Sequence, residues 1–456
     1  MTLKEAVSRR QDDLLRSLQE SIRIPSVQGP AGDGCPYGTG VGQCLDHALA
    51  TAAELGLTCG DLDHQVGWCE YGDGREMIGV LGHLDVVPAG EGWSFAPFGG
   101  EIRDGKIFGR GTMDDKGPTF AAMYALAAIR DAGLPLRRRI RLLLGTNEET
   151  GSQDMKYYQS HGGELPLMGF TPDGEYPVIN GEKGIVNVTF RRTYSQSGPV
   201  RLVELSGGSA PNVVPASARA VIACPPETAA QITARSTDTV RCTTVEGGVE
   251  IEALGVSAHG STPELGENAI GRLMLALTEL PLSGEAAEAV RFLAERIGME
   301  TDGSALGISL RDEISGGLTL NWGTVEGDAS AMTLRINYRY PVTKRFADCG
   351  PILQKAFEDA GFTLMGQTHK ASLYIPADSE LVQTLLAVYA RETGLPAEPK
   401  SIGGGTYAKS IPNIVAFGPI FPGDEVREHK PDEFIEIHKL MKNAQIIAEA
   451  MYQLAK

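Results

Sequence analysis

The sequence predicts an α/β layered domain interrupted by an α+β insert, and three observations predict it. Apolar runs of strand length alternate with helical patterns from the N-terminus to about residue 185. Between Val186 and Leu373 the segments read as strands with one exposed face, mixed with helices. From about Ser379 the first pattern returns. The expected division is a layered domain built from residues 1–185 and 377–456, with 186–376 as an inserted domain. At 456 residues the chain is too long for a single core, which agrees with two.

Taken in order, Thr2-Leu3-Lys4-Glu5 reads as a capping box that opens an amphipathic helix. Val7, Leu14, Leu15, Leu18 and Ile22 lie on its apolar side, and Pro25 stops it. A second helix is expected over 43–55, then strands over 66–71 and 77–85, and a hairpin around Asp104-Gly105. Pro118 suits the first turn of a helix over 119–132, and Gly133 suits its end. Strands are predicted over 136–146 and 168–171. In the insert, strands are predicted over 185–194, 218–224, 249–257 and 331–340, and helices over 268–280 and 284–297. The return segment predicts a helix over 379–393, a strand over 414–417 and a closing helix from about Asp432.

Charge and cysteine usage narrow the function classes. The net charge of −17 has no long acidic run, so it is spread over surfaces and disfavours nucleic acid or an anionic membrane as partner. No apolar run approaches a membrane span, and the N-terminal pattern is not a signal peptide. Seven cysteines are an odd number without a C-x-x-C pair, which fits free thiols in a reducing compartment. A cytoplasmic enzyme or binding protein is the expectation.

The candidate chemistry lies at the ends of the predicted strands and in loops. His83 and Asp85 are two apart on an extended chain, so imidazole and carboxylate can meet on one face. Like His83, Asp114, the Glu148-Glu149 pair, Asp173 and His429 each stand at a strand or loop end and carry an oxygen or imidazole ligand. Two His and three or four carboxylates satisfy two Zn²⁺ ions, one carboxylate being shared. Such a pair of ions can hold one hydroxide and polarise a carbonyl. Glu148, beside a ligand carboxylate, suits proton transfer. Each locus also has a plain structural reading. Asp114-Asp115 could cap a helix, Glu148-Glu149 could be a solvated turn, Pro172-Asp173-Gly174 a simple turn, and His83 a hydrogen-bonded core residue.

Four segments together carry a resemblance. Gly82-His83-Leu84-Asp85-Val86-Val87-Pro88, Gly109 to Gly117, Thr146-Asn147-Glu148-Glu149-Thr150-Gly151-Ser152 and Glu428 to Glu433 resemble, in order, the signatures of the M20 metallopeptidase family. Phe170-Thr171-Pro172-Asp173, Gly403 to Ala408 and Phe421-Pro422-Gly423 make the chain look most like the PepV-type dipeptidases. The resemblance implies a zinc-exopeptidase-like three-layer catalytic domain with a ferredoxin-like, doubled lid. It implies that His83 and Asp173 hold one zinc, Glu149 and His429 the other, and Asp114 bridges both. Cobalt or manganese could substitute. It also implies that Asp85 orients His83, that Glu148 is general base and acid, and that the Asp114–Asp115 peptide is cis.

In the lid, Ser257-Ala258-His259-Gly260-Ser261 resembles the segment whose His stabilises the oxyanion. Asn212 and Arg339 match positions that hold substrate and its carboxylate, and Gly404, Gly405 and Thr406 lie in a loop suited to the same group. Lys409 departs from the resemblance, since close relatives commonly carry Arg there. A lid of about 190 residues exceeds one small α+β module, and the doubled arrangement implies a functional monomer, with a homodimer left open. The function so implied is hydrolysis of dipeptides with a free amine, β-alanyl dipeptides among them. The alternatives are an N-acyl-amino-acid deacylase or succinyl-diaminopimelate desuccinylase of the same fold and, more remotely, a non-catalytic binding protein.

Overall fold

Two hydrophobic cores form, one in each of the two units of this computed structural model, which describes residues 1–32 and 34–456. The first unit comprises Met1–Asn180, Ile375–Lys400 and Gly405–Lys456; the second comprises Gly181–Tyr374 and Ser401–Gly404.

The first unit is built on the strand Met77–His83, every residue of which is buried. It pairs in parallel with Arg139–Gly145 on one side and Met168–Thr171 on the other. A strand with parallel neighbours and covered faces must be apolar throughout, which is why this run shows no alternation. Ile414–Ala416 continues the parallel set beside Met168–Thr171. Antiparallel strands flank this set: Val66–Tyr71 and Thr58–Leu62 beyond Arg139–Gly145, and Val178–Glu182 beyond Ile414–Ala416. The sheet therefore has four parallel strands whose carboxyl ends open on one edge, where ligands gather in α/β folds.

Helix Lys116–Ala132 packs on this sheet and against helices Leu3–Ser8, Gln11–Ile22 and Ile437–Ala455. It is buried from Lys116 to Ile129, and its alanines (121, 122, 125, 127 and 128) let neighbours approach closely. Pro118 stands in its first turn, and Gly133 ends it in the left-handed region at φ 63°. A three-stranded sheet of Glu101–Arg103, Lys106–Phe108 and Phe434–Glu436 lies in the same unit.

Several boundaries differ from the sequence reading. The N-terminal helix is two helices, Leu3–Ser8 with its Thr2/Glu5 capping box and Gln11–Ile22. The segment from Asp432 does not begin a helix. Phe434–Glu436 is a strand paired with Lys106–Phe108, and the helix starts at Ile437. That pairing is non-local, so no periodicity announces it. The strand Thr58–Leu62 was not foreseen, because Gly60 and the exposed Thr58 and Asp61 weaken its pattern.

The second unit is built on an antiparallel sheet of eight strands. Its first four in space are Val240–Val245, Gly248–Leu254, Ser217–Ala223 and Arg201–Gly207; the other four are Thr319–Asp328, Ala331–Tyr340, Gly184–Thr193 and Thr363–Lys370. The halves meet at the pairing of Arg201–Gly207 with Thr319–Asp328. Helices Pro226–Thr233 and Ala269–Thr278 pack on strands of the first half. In the second, Phe357 of helix Gly350–Asp359 stacks on Phe190 at 4.2 Å, and Phe292 of helix Glu285–Arg296 meets Phe357 edge-on at 5.2 Å.

Candidate metal centre and active site

The carboxyl ends of the parallel strands bring the predicted donors together in the first unit. His83 is the last residue of its strand and wholly buried. Its Nε2 lies 3.0 Å from Asp114 Oδ1 and 4.0 Å from Asp173 Oδ2. His429 Nε2 lies 2.9 Å from Asp114 Oδ2 and 3.3 Å from Glu149 Oε2. The donors therefore form two triads, His83/Asp114/Asp173 and Asp114/Glu149/His429, each with its ligand atoms within 4.8 Å. Tetrahedral zinc with bonds of about 2.0–2.1 Å separates its ligand atoms by about 3.3 Å, so the donor spacing fits an ion in each triad. Asp114 presents one oxygen to each. Glu149 Oε1 is buried with no hydrogen-bond partner, a polar atom that an ion would satisfy.

The local backbone explains how these side chains are held. His83 Nδ1 lies 2.9 Å from the main-chain oxygen of Asp85 and 3.5 Å from its carboxylate, so the nearer orienting group is the carbonyl. The Asp85 carboxylate turns instead to the next strand end, accepting the amides of Glu148 and Glu149 at 3.1 Å each. Asp115 makes no side-chain cap to helix Lys116–Ala132. Its carboxylate accepts the His83 amide at 3.1 Å and the Thr119 hydroxyl at 2.9 Å, and the Asp114–Asp115 peptide is cis. His429 sits at φ 60°, a conformation uncommon outside glycine and one that clusters at functional sites.

Asp154 was missed by sequence reasoning. Wholly buried, it accepts the Thr146 amide at 2.7 Å, the Asn147 amide at 3.1 Å and the Tyr407 hydroxyl, and so fixes the turn that leads to Glu148. The Tyr407 ring in turn stands edge-on to His83 at 5.9 Å. A side chain at position 145 would collide with Tyr407, which accounts for Gly145. No motif points to Asp154, because its partners are backbone amides and a tyrosine hydroxyl distant in sequence.

The electrostatics describe a site that holds protons where ions would sit. The Asp114 and Glu149 carboxylates lift His429 to about 11. Burial opposes charge on His83, yet Asp114 and Asp85 outweigh it and hold its pKa well above the ordinary value. Burial, and then the charge of Asp114, raises both Asp173 and Glu149. The shifts of the two imidazoles favour their protonated forms at neutral pH, whereas metal ligation requires loss of those protons. Binding of Zn²⁺ is therefore expected to release about one proton or more per ion, and affinity to fall as pH is lowered. Calorimetry of Zn²⁺ binding in buffers of different ionisation enthalpy checks this; binding without proton release contradicts it.

In the second unit another predicted group assembles. Arg339 is buried, and its Nη1 donates to the Gly403 carbonyl at 2.6 Å and its Nε to Asn337 Oδ1 at 3.2 Å. Burial lowers its pKa to about 10, so it remains charged at neutral pH. His259 Nδ1 lies 2.6 Å from Ser261 Oγ, and burial followed by the charge of Arg339 lowers the His259 pKa. The Gly260 amide donates to the Asn212 carbonyl at 2.7 Å. Buried Asn321, also missed, holds the Asn212 loop by donating to the carbonyls of Pro211 and Val213 at 2.7 and 3.0 Å. Gly404 ends this unit; Gly405 and Thr406 belong to the first, where Thr406 Oγ1 accepts the Ala408 amide at 3.1 Å.

Fold and donor set together are those of a metal-dependent hydrolase. Among solved structures the chain is similar to human carnosine dipeptidase 1, with a TM-score of 0.61 at 16% identity over 99% of this chain and 98% of that one. It is equally similar to the aminoacylhistidine dipeptidase of Vibrio alginolyticus, with a TM-score of 0.61 at 16% identity over 97% and 96%. These likenesses establish the fold. By sequence it is 39% identical to YtjP of Bacillus subtilis (strain 168), with 100% of both chains covered. It is 32% identical to the Beta-Ala-Xaa dipeptidase of Lactobacillus delbrueckii subsp. lactis, over 100% of this chain and 99% of that one. The chain belongs to peptidase family M20/M25/M40, which it matches over residues 79–453. It is thus a hydrolase and a metallopeptidase. Among the described residues no helix is long and apolar enough to cross a membrane.

Proposed function

We propose that this protein is a dipeptidase that holds two divalent ions, zinc by the donor set, and requires a free N-terminal amine in its substrate. The observation that carries the reading is the pair of triads sharing Asp114, with Glu148 next to the ligand Glu149 on a turn anchored by Asp85. The full-length relative named for Beta-Ala-Xaa cleavage supports the substrate class, β-alanyl dipeptides included.

When bound, the ions would polarise the scissile carbonyl and acidify a water. The residues of the chain perform the remaining work. Glu148 takes the proton of the attacking water and delivers it to the leaving amine. His259, its pKa lowered by desolvation and then by the charge of Arg339, donates a hydrogen bond to the developing oxyanion. Arg339, Asn212 and the loop of Gly404, Gly405 and Thr406 bind the substrate carboxylate and the peptide around it. On this reading the enzyme acts as a cytoplasmic monomer.

A matched pair of substrates tests the proposal: a β-alanyl or α-dipeptide and its N-acetylated form, each with and without chelator. Chelator-sensitive cleavage of the free dipeptide alone is the expected result. Cleavage of the acetylated compound instead would make the enzyme a deacylase.

A further inference from the structure

Glu433 is a carboxylate that neither the metal triads nor proton transfer uses, and it is wholly buried. Its Oε1 accepts three converging backbone amides, from Gly111 at 3.0 Å, Met113 at 2.9 Å and Asp114 at 3.2 Å. Its Oε2 accepts Nη1 of Arg110 at 2.6 Å, and that guanidinium is equally buried. Three amides on one oxygen fix the path of a turn more tightly than any single cap, since moving one breaks the geometry of the others. The turn they fix is the one that delivers Asp114.

Arg110 extends the same constraint to two further loops. Its Nη1 also reaches the carbonyl of Lys430, next to His429, at 3.3 Å. Its Nη2 reaches the carbonyls of Pro88 and Ala89, in the loop that follows His83, at 3.4 and 3.2 Å. The guanidinium carbon lies 5.2 Å from the Trp93 ring. One buried ion pair thus touches the backbone that presents Asp114, the backbone beside His429 and the loop beyond His83.

We infer that Glu433 and Arg110 are a positioning pair for the metal centre, setting the separation of Asp114 and His429 and therefore the affinity of the ion they share with Glu149. The inference rests on the two-ion reading of the site but not on any substrate. His83 keeps its own strand and its Asp85 carbonyl, so the ion of the His83/Asp114/Asp173 triad is less exposed to loss of the pair.

Co²⁺ titration followed by visible absorption, with chelator competition for each binding step, tests it without substrate. His429→Ala serves to assign which step belongs to which triad. In Glu433→Gln, which keeps the shape and loses the charge, the step assigned to His429 is expected to weaken at least tenfold more than the other. Its absorption band should change as well. Arg110→Lys, which keeps the charge and loses the fork, should show the same selective effect more mildly, and it carries the test should Glu433→Gln fail to fold. Folded variants in which both steps stay within twofold of the parent, or weaken equally, would overturn the inference. A parent protein that binds no Co²⁺ would overturn the two-ion reading and the inference with it. Failure to cleave dipeptides would overturn only the substrate assignment.

Discussion

Glu148→Gln is expected to lower kcat by about 10²–10⁴-fold while leaving both ions bound. The side chain of Glu148 is not a member of either triad, but its amide is tied to Asp85 Oδ1 at 3.1 Å and its neighbour Glu149 is a donor to one of them. Gln preserves that backbone anchor and the volume of the side chain, and it removes only the capacity to take a proton. Metal content and kcat measured on the same preparation separate the roles. Full metal with lost turnover supports proton transfer, and parallel loss of metal and turnover would mean that Glu148 is structural.

The second large effect is expected at Asp114. Its two oxygens face different imidazoles, at 3.0 Å from His83 and 2.9 Å from His429. Asp114→Ala should weaken both ions by more than about 100-fold, beyond the 10–100-fold typical of a partner outside the ligand set. His429→Ala should spare the His83/Asp114/Asp173 triad, because none of its donors is removed. Equilibrium dialysis against Zn²⁺ distinguishes the two variants. An Asp114→Ala protein that retains one ion at parent affinity would show that the carboxylate is not shared.

The donors were legible because metal chemistry restricts residue type and because parallel strands end at one edge. His83, Asp114, Glu149, Asp173 and His429 could be named from short motifs, and the fold gathers them into two triads. The apolar strand at Met77 and the Pro118 and Gly133 boundaries of helix Lys116–Ala132 were equally readable, since local propensity sets them. What was not readable depends on non-local backbone contact. The Phe434–Glu436 strand exists because Lys106–Phe108 offers it an edge. Asp154 and Asn321 matter through the amides and carbonyls they meet, which leave no mark on sequence. His83 and Asp85 were expected to meet through side chains. In the folded protein the strand ends at His83, so the Asp85 carbonyl comes nearer and its carboxylate is directed to the Glu148 turn.

The central claim is that two ions held around Asp114 are both needed for peptide cleavage. Stripping the protein of metal and restoring activity on a free dipeptide with measured equivalents of Zn²⁺ tests it most directly. Activity should rise to its plateau at two equivalents per chain, and fall again when chelator is added. A plateau at one equivalent, or turnover that survives the chelator, would contradict it.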